Sequence, residues 1–569
     1  MGRFNLLDEP WISVVCDEKG KTKDVSMLEL FKNGSKYSEL AGDTKTQDFA
    51  VLRVLLAVLH TVFSRFDAKG NKYTYFELGD RYIPNKSVEE YDLEDYKADL
   101  EDTWLNIWEK GKVPDIVCEY LNKWHDRFYL FDENYPFFQV RKDDVRSEAL
   151  SKDSPSPISG KTINRLVSES ENKLSLFAPK NEAEGKRYKE ILSASEIARW
   201  LITLHGYIGL SDKVIFGETK YKASKGWLFD LGGLYLKGSN IFETLMLNCY
   251  LSCSDGGNLE NTQRPCWETT SEERINFYLK DNTIYNLAEI YTTWSRAVYI
   301  DPDFDTNEPF SCRIVKLPEI NHKNNFLEPM TIYNYNNNGE NKDSFTPKKH
   351  IQNQSLWRSF GLITKNSFNS DSTKYRCPGI INWLNEITYM SRREKLGINN
   401  FIQGIASVSM MDDGNATSWI PTDEIADFLS IKDFILTDAK AGGWTNIIND
   451  IIDYTKKIVE FTYKNYLKDI KDIRRLNSDS FVSQNIEQVY FVIDKSFRQW
   501  LSSIEVDDDQ PSKASEWYSK LKMLLYNEAK KIYESGSNRD FIGIIENEQV
   551  KNIATVFNRF TYFLNRDLQ

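Results

Sequence analysis

The stretch "TQDFAVLRVLLAVLHTVFSRF" constrains this chain more than any other. Val51, Val54, Leu55, Val58, Leu59 and Val62 recur at the i, i+3, i+4, i+7 spacing of a well-buried helix. Such a helix needs other elements packed around it, so it predicts a core early in the chain. His60 falls inside it and reads as a core or helix-surface histidine. No apolar run is expected to reach the roughly 18 residues of a membrane span.

At 569 residues the chain exceeds a single core and predicts two or three domains. Around the long helix, "FNLLDEPWISVV" reads as a loop and strand, and "VSMLELFKNG" as a short helix stopped by Gly34. From "KWHDRFYLFDENYPFFQV" to about residue 430 short aromatic strands, turn clusters and a few helices alternate. The polar tract Tyr333 to His350 reads as an exposed loop between strands. The last part differs. Ile447, Ile451, Tyr454, Ile458 and Phe461 step by 4, 3, 4, 3. Ile486, Val489, Ile493, Phe497 and Trp500 repeat that stripe, as do Trp517, Leu521, Leu524 and Ile532. Val550, Ile553, Phe557, Phe560 and Leu564 form a further one. Amphipathic segments joined by polar linkers predict an antiparallel bundle. The expected fold class is α+β: a large, irregular mixed α/β domain over 1–435, followed by a four-helix bundle over 436–569.

The net charge of −12 argues against a simple nucleic-acid coat, while leaving room for local basic loops. The N-terminus lacks the layout of a signal peptide. Seven scattered cysteines argue against a disulfide framework and for a reducing cytoplasm. That compartment removes the glycan reading of the Asn415-Ala416-Thr417 sequon. No zincin motif, Walker A loop, nucleophile elbow or Rossmann fingerprint occurs. Asp301, Asp303 and Asp305 begin like a calcium loop, but Thr306 and Cys312 stand where Gly and Glu belong, which favours a solvated turn. Cys249, Cys253 and Cys266 lack CxxC spacing and read as buried thiols rather than zinc ligands. Neither a catalytic constellation nor a metal or other cofactor is expected.

Several stretches taken in order resemble the CasA/Cse1 family, the large subunit of the type I-E CRISPR Cascade. They are "FNLLDEPWISV", "VSMLELF", "TQDFAVLRVLLAVLH", "DENYPFFQV" (similar to an aromatic strand of the family), "INRLVSESENKLSLFAPK", "RPCWE" and "WSRAVYIDPDFD". The resemblance implies a non-catalytic subunit of an RNA-guided surveillance complex. Its expected partners are the other Cascade protein subunits, the guide RNA, and target double-stranded DNA carrying the short flanking motif, the PAM. A recruited helicase–nuclease is a further partner, and no membrane is expected. Base pairing then reads most of the sequence, and the protein reads the PAM and backbone.

The resemblance carries over to several elements. Lys316 in "CRIVKLPEINHK" matches a minor-groove lysine, with Arg313 and Lys323 as neighbours; a solvated strand lysine is the alternative. "FGETKYKASKGW" stands where the family has a glycine-rich loop, yet holds only Gly217 and Gly226 as glycines. Lys213, Lys220, Lys222 and Lys225, with Ser224 and Gly226, could replace close backbone approach by phosphate contact, or form an ordinary exposed face. Gly414, Asn415 and Ala416 match a wedge that separates the first target base pair, with a plain β-turn as the alternative. Asp412 and Asp413 sit awkwardly beside phosphates in the wedge reading. Lys180, Lys186 and Arg187 match a loop that docks on the guide RNA and neighbouring subunits, or form an exposed linker. The rival functions are a purely structural assembly subunit and a metal-dependent nuclease using Asp301 and Asp303.

Overall fold

Ser26 accepts the Glu29 N–H to start helix α1 (Met27–Asn33), which ends at Gly34 as the sequence suggests. Thr44 caps α2 (Lys45–Phe63) by accepting the Gln47 N–H, and Thr46 to Phe63 are all buried. Contrary to the expectation above, α2 is long and apolar enough to cross a membrane; it is wholly enclosed by protein, as a core helix is. Around it pack α3 (Ile116–Lys123), α4 (Ala194–Tyr207), α5 (Ile241–Asn248), α6 (Leu287–Tyr291) and the long strand Gly404–Asp412. The computed structural model describes residues 2–159, 191–209, 214–252, 262–364, 374–394, 401–415, 419–546 and 549–568. The chain divides into two compact units, Met1–Ile351 with Lys374–Asp427, and Gln352–Thr373 with Phe428–Gln569.

The fold is a mixed α/β one whose strands gather in small antiparallel sheets. β1 (Arg3–Asn5) pairs with β4 (Tyr129–Phe131), and β2 (Ile12–Val15) with β3 (Thr22–Val25). "DENYPFFQV" is irregular rather than a strand. Pro136 has no N–H to donate, and Phe138 has a positive φ of 55°, so the ladder stops at Phe131. Two sheets carry residues singled out in the sequence. β8 (Ser311–Lys316) lies between β5 (Ser156–Ser159) and β7 (Arg296–Tyr299), and β11 (Gly404–Asp412) lies between β6 (Gly233–Lys237) and β12 (Pro421–Ser430). The Tyr333–His350 tract is not merely a loop: it contains both strands of a hairpin, β9 (Tyr333–Asn336) and β10 (Ser344–Pro347).

Arg53 of α2 and Arg65, two residues beyond its end, are buried and paired. Arg53 meets Glu328 through two hydrogen bonds of 2.8 and 2.6 Å, and the indole Nε1 of Trp227 donates to the same carboxylate at 2.7 Å. Arg65 meets Glu268 of the "RPCWE" segment at 2.8 and 2.9 Å, with the Tyr120 hydroxyl donating to Glu268 at 2.6 Å. Burial alone would raise the Glu328 pKa, but the Arg53 charge and its hydrogen bonds hold it below the usual carboxylate range. Burial pushes the His60 pKa down to about 3, with no carboxylate beside it among the described residues.

The second unit holds the bundle. α7 (Trp444–Lys457) continues through a π-helical turn, Ile458–Tyr463, into α8 (Lys464–Arg474). This long rod packs with α9 (Ser480–Ser502), α10 (Gln510–Glu534) and α11 (Ile553–Asp567). The π turn inserts a residue and shifts the phase of the buried stripe. Phe461, expected inside, is 63% exposed, and Tyr463 takes the core at 1%. Leu525 rather than Leu524 is buried on α10, and Val550 lies in a short strand ahead of α11. Trp517 packs against Phe497 and Trp500 at centroid distances of 4.9 and 5.5 Å.

Two predictions follow from this packing. Glu328→Gln strands the Arg53 charge and is expected to lower stability by about 3–5 kcal/mol in urea denaturation. In the wild type that contribution is complete above the unfolded glutamate pKa of about 4.3 and fades as pH falls through the lower folded value. In the bundle, Tyr463→Ala costs about 3–5 kcal/mol, whereas Phe461→Ser stays within about 0.5 kcal/mol of wild type. The reverse order would return Phe461 to the core.

Candidate nucleic-acid interface

Alternation along β8 places Arg313 on the face opposite Cys312, Ile314 and Lys316. Cys312 and Ile314 are buried, and Arg313 is exposed with no ion pair among the described residues. At the end of the strand the Lys316 N–H donates to the Val214 carbonyl at 2.9 Å, and the Tyr221 hydroxyl donates to the Lys316 carbonyl at 2.6 Å. Ser224 N–H then bonds Leu317 O at 3.0 Å, and Glu319 N–H bonds Lys222 O at 2.9 Å. Segment 214–224 thus runs along the exit of β8, so two of the stretches singled out in the sequence form one ridge.

The cations on this ridge differ in their freedom. Lys220 is exposed and makes no ion pair among the described residues. Lys222 is 75% exposed and contacts Glu319 at 2.6 Å, a hydrogen bond that raises its pKa. Lys316 is half-buried and Lys323 exposed, the latter following His322, which stacks on Trp227 at 4.0 Å. Ser224 and Gly226 have structural duties instead. Ser224 is buried, and its carbonyl accepts from Arg296 Nη1 at 2.7 Å. Arg296, itself fully buried, also donates to Ser295 O at 2.7 Å and Gly209 O at 2.5 Å. A Cβ on Gly226 would stand 2.2 Å from the Gly206 carbonyl oxygen at the end of α4. Gly217, at φ 65°, has open space around it.

The hairpin between β11 and β12 turns on its own aspartates. Asp412 Oδ1 accepts the Gly414 N–H at 2.9 Å, and Asp413 Oδ1 accepts the N–H groups of Asn415 and Ile420 at 3.0 and 3.1 Å. Trp419 N–H closes the turn onto Asn415 O at 2.8 Å. Gly414 takes φ 67°, the left-handed region that glycine enters without strain. Asp413, Gly414 and Asn415 are exposed. Lys225 links this turn to the ridge, because its ammonium lies 4.6 Å from the Trp419 ring centre and 2.5 Å from Asp230. With 16% of its side chain exposed, Lys225 is a tethered cation rather than a free surface one. Asp412 is tethered too, by Lys349 at 2.7 Å. Partial burial would raise the Asp412 pKa, but Lys349 and the Gly414 N–H outweigh it and hold the group low.

The structure therefore brings together Lys316, Lys220, Lys222, Lys225, Gly414 and Asn415, while Arg313 faces away from Lys316 across the strand. Lys180, Lys186, Arg187, Lys213, Cys253 and Ala416 lie outside the described residues. Asp301 accepts the Asp303 N–H at 3.0 Å in an exposed turn. Cys249 and Cys266 are buried, and burial pushes the Cys266 thiol up to about 12. Arg296, Asp230, Glu319 and Lys349 escaped the sequence reading, because each acts on a partner distant in the chain.

The family described as CRISPR-associated protein Cse1 matches residues 5–527 of this chain. The chain belongs to that family. It is 29% identical over 139 residues to the CRISPR-associated protein CasA/Cse1 of Thermus thermophilus, an alignment spanning 24% of this chain and 21% of that relative. The fold is similar to the crystal structure of Thermobifida fusca Cse1, at TM-score 0.75 and 20% identity, covering 100% of this chain and 98% of that one. It is also similar to a chain of a CRISPR RNA-guided surveillance complex, at TM-score 0.65 and 14% identity, with 99% of both chains covered. Within this fold, Gly226→Ala is expected to destabilise by about 1–3 kcal/mol in thermal denaturation, since backbone must move to admit the methyl group. An unchanged midpoint would refute the close approach.

Proposed function

We propose that this chain is a non-catalytic subunit of an RNA-guided CRISPR surveillance complex that engages duplex DNA beside the target and assists its opening. One observation carries this reading: three stretches far apart in sequence, which the family resemblance marked separately, meet at one place on the first unit. On this reading Lys220 and Lys222 hold phosphates beside Lys316, which reaches the minor groove at the PAM, and Arg313, on the other face of β8, meets phosphate apart from them. Gly414 and Asn415, followed in sequence by Ala416, stand where the strands part. Lysine and arginine keep their charge at neutral pH, so a chain of net charge −12 can still hold DNA locally. The remaining positive charge comes from the guide-bearing subunits around it. Docking on guide RNA through Lys180, Lys186 and Arg187, recruitment of a helicase–nuclease, and work in the cytoplasm complete the proposal. The free thiols of Cys16, Cys118, Cys249, Cys266, Cys312 and Cys377 suit such a reducing compartment.

The test is duplex affinity of the assembled complex at several salt concentrations. Lys220→Ala and Arg313→Ala are each expected to weaken binding to any sequence and reduce the salt slope by about 1. Lys316→Ala is expected to cost more on PAM-bearing duplex than on duplex lacking it. Wild-type affinity and slope in all three variants would leave only the assembly role.

A further inference from the structure

Four charges alternate along a line between the two ends of the hairpin turn. Asp412, the last residue of β11, holds the Lys349 ammonium at 2.7 Å, and Lys349 stands 3.9 Å from Asp230. Asp230 holds Lys225 at 2.5 Å, and Lys225 lies 4.6 Å from the ring centre of Trp419, at the far end of the turn. Phe229 lies beside both ammonium groups, 4.1 Å from Lys349 and 5.2 Å from Lys225. All four charged side chains are between 14% and 33% exposed, so water and salt screen them less than open surface pairs. The footing is fixed as well. His350, next to Lys349, donates its N–H to Ser409 Oγ at 3.0 Å, and a ring nitrogen lies 3.0 Å from Gly233 O. Asp230 closes the helical turn Trp227–Asp230, whose tryptophan is bonded to the buried Glu328.

We infer that this line of charges clamps the hairpin tip at both ends, with Lys349 and Asp230 as positioning residues for strand opening. Neither touches DNA. They act through Asp412, Lys225 and Trp419, which fix the two ends of the turn. The inference rests on the DNA-engaging reading above. Splitting the first base pair is uphill, and a tip that must first be ordered adds its conformational entropy to that cost. A loosened tip leaves the phosphate contacts of Lys220, Lys222 and Arg313 intact, so binding and opening separate.

The experiment uses the assembled complex and a PAM-bearing duplex with 2-aminopurine at the first target pair, whose fluorescence rises on opening. Lys349→Met and Asp230→Asn are each expected to slow the rise about tenfold, while duplex Kd moves by less than about twofold. Lys349→Arg is expected to restore the rate, because a guanidinium can still meet both carboxylates. Thermal denaturation of each variant shows that the subunit is folded. Wild-type opening rates in both variants, with duplex binding intact, would overturn the clamp alone. Kd and opening falling together, without rescue by arginine, would overturn the positioning role. A wild-type complex that neither binds nor opens the duplex would overturn the DNA reading and the clamp with it.

Discussion

Inside the first unit, the buried Arg53 guanidinium and Glu328 carboxylate meet directly, and much else is fixed by that meeting. Arg53 belongs to a helix buried on every side, so Glu328 is held at a set depth. Trp227 donates to the same carboxylate and is covered by the His322 ring. Lys225 comes two residues before Trp227 and Asp230 three residues after it, while Lys323 follows His322. A pair deep in the core thus sets where charges emerge at the surface. An ion pair of this kind adds little net stability over an apolar substitute, but breaking it on one side is costly, and its value lies in register.

At the surface the cations divide by whether the chain already satisfies them. Lys220, Arg313 and Lys323 have no ion pair among the described residues, while Lys222, Lys225 and Lys349 are held by Glu319, Asp230 and Asp412. Under the proposed function the first set attracts phosphate, the largely exposed Lys222 joins it from beside Glu319, and Lys225 and Lys349 keep the bearing parts in place. The aspartates that looked awkward beside DNA are engaged within the protein: Asp412 serves Lys349 and its own turn, and the exposed Asp413 accepts turn N–H groups. Arg296 completes the frame by binding backbone carbonyls under the ridge.

Periodicity made the long helix and the bundle segments legible, because a buried helix repeats its apolar positions whatever surrounds it. It failed at Phe461, where a π turn shifts the phase and no local residue type announces the insertion. It failed also at Tyr333–His350, where asparagines and tyrosines that look like loop pair as a hairpin. Lys316 and the 214–226 segment could be singled out separately from family position. Their contact could not, since it is made by main-chain bonds and the Tyr221 hydroxyl between segments about 100 residues apart. The clamp was invisible for a similar reason, because Asp230, Lys349 and Asp412 acquire meaning only when folding brings them together.

The central claim is that segments 217–225 and 316–323 and the turn bounded by Asp412 and Trp419 engage duplex DNA together. Hydrogen–deuterium exchange on the assembled complex, with and without PAM-bearing duplex, tests it most directly. The account predicts that peptides from all three segments gain protection together when the duplex is added. Exchange that stays unchanged in all three, while the complex demonstrably holds the duplex, would contradict it.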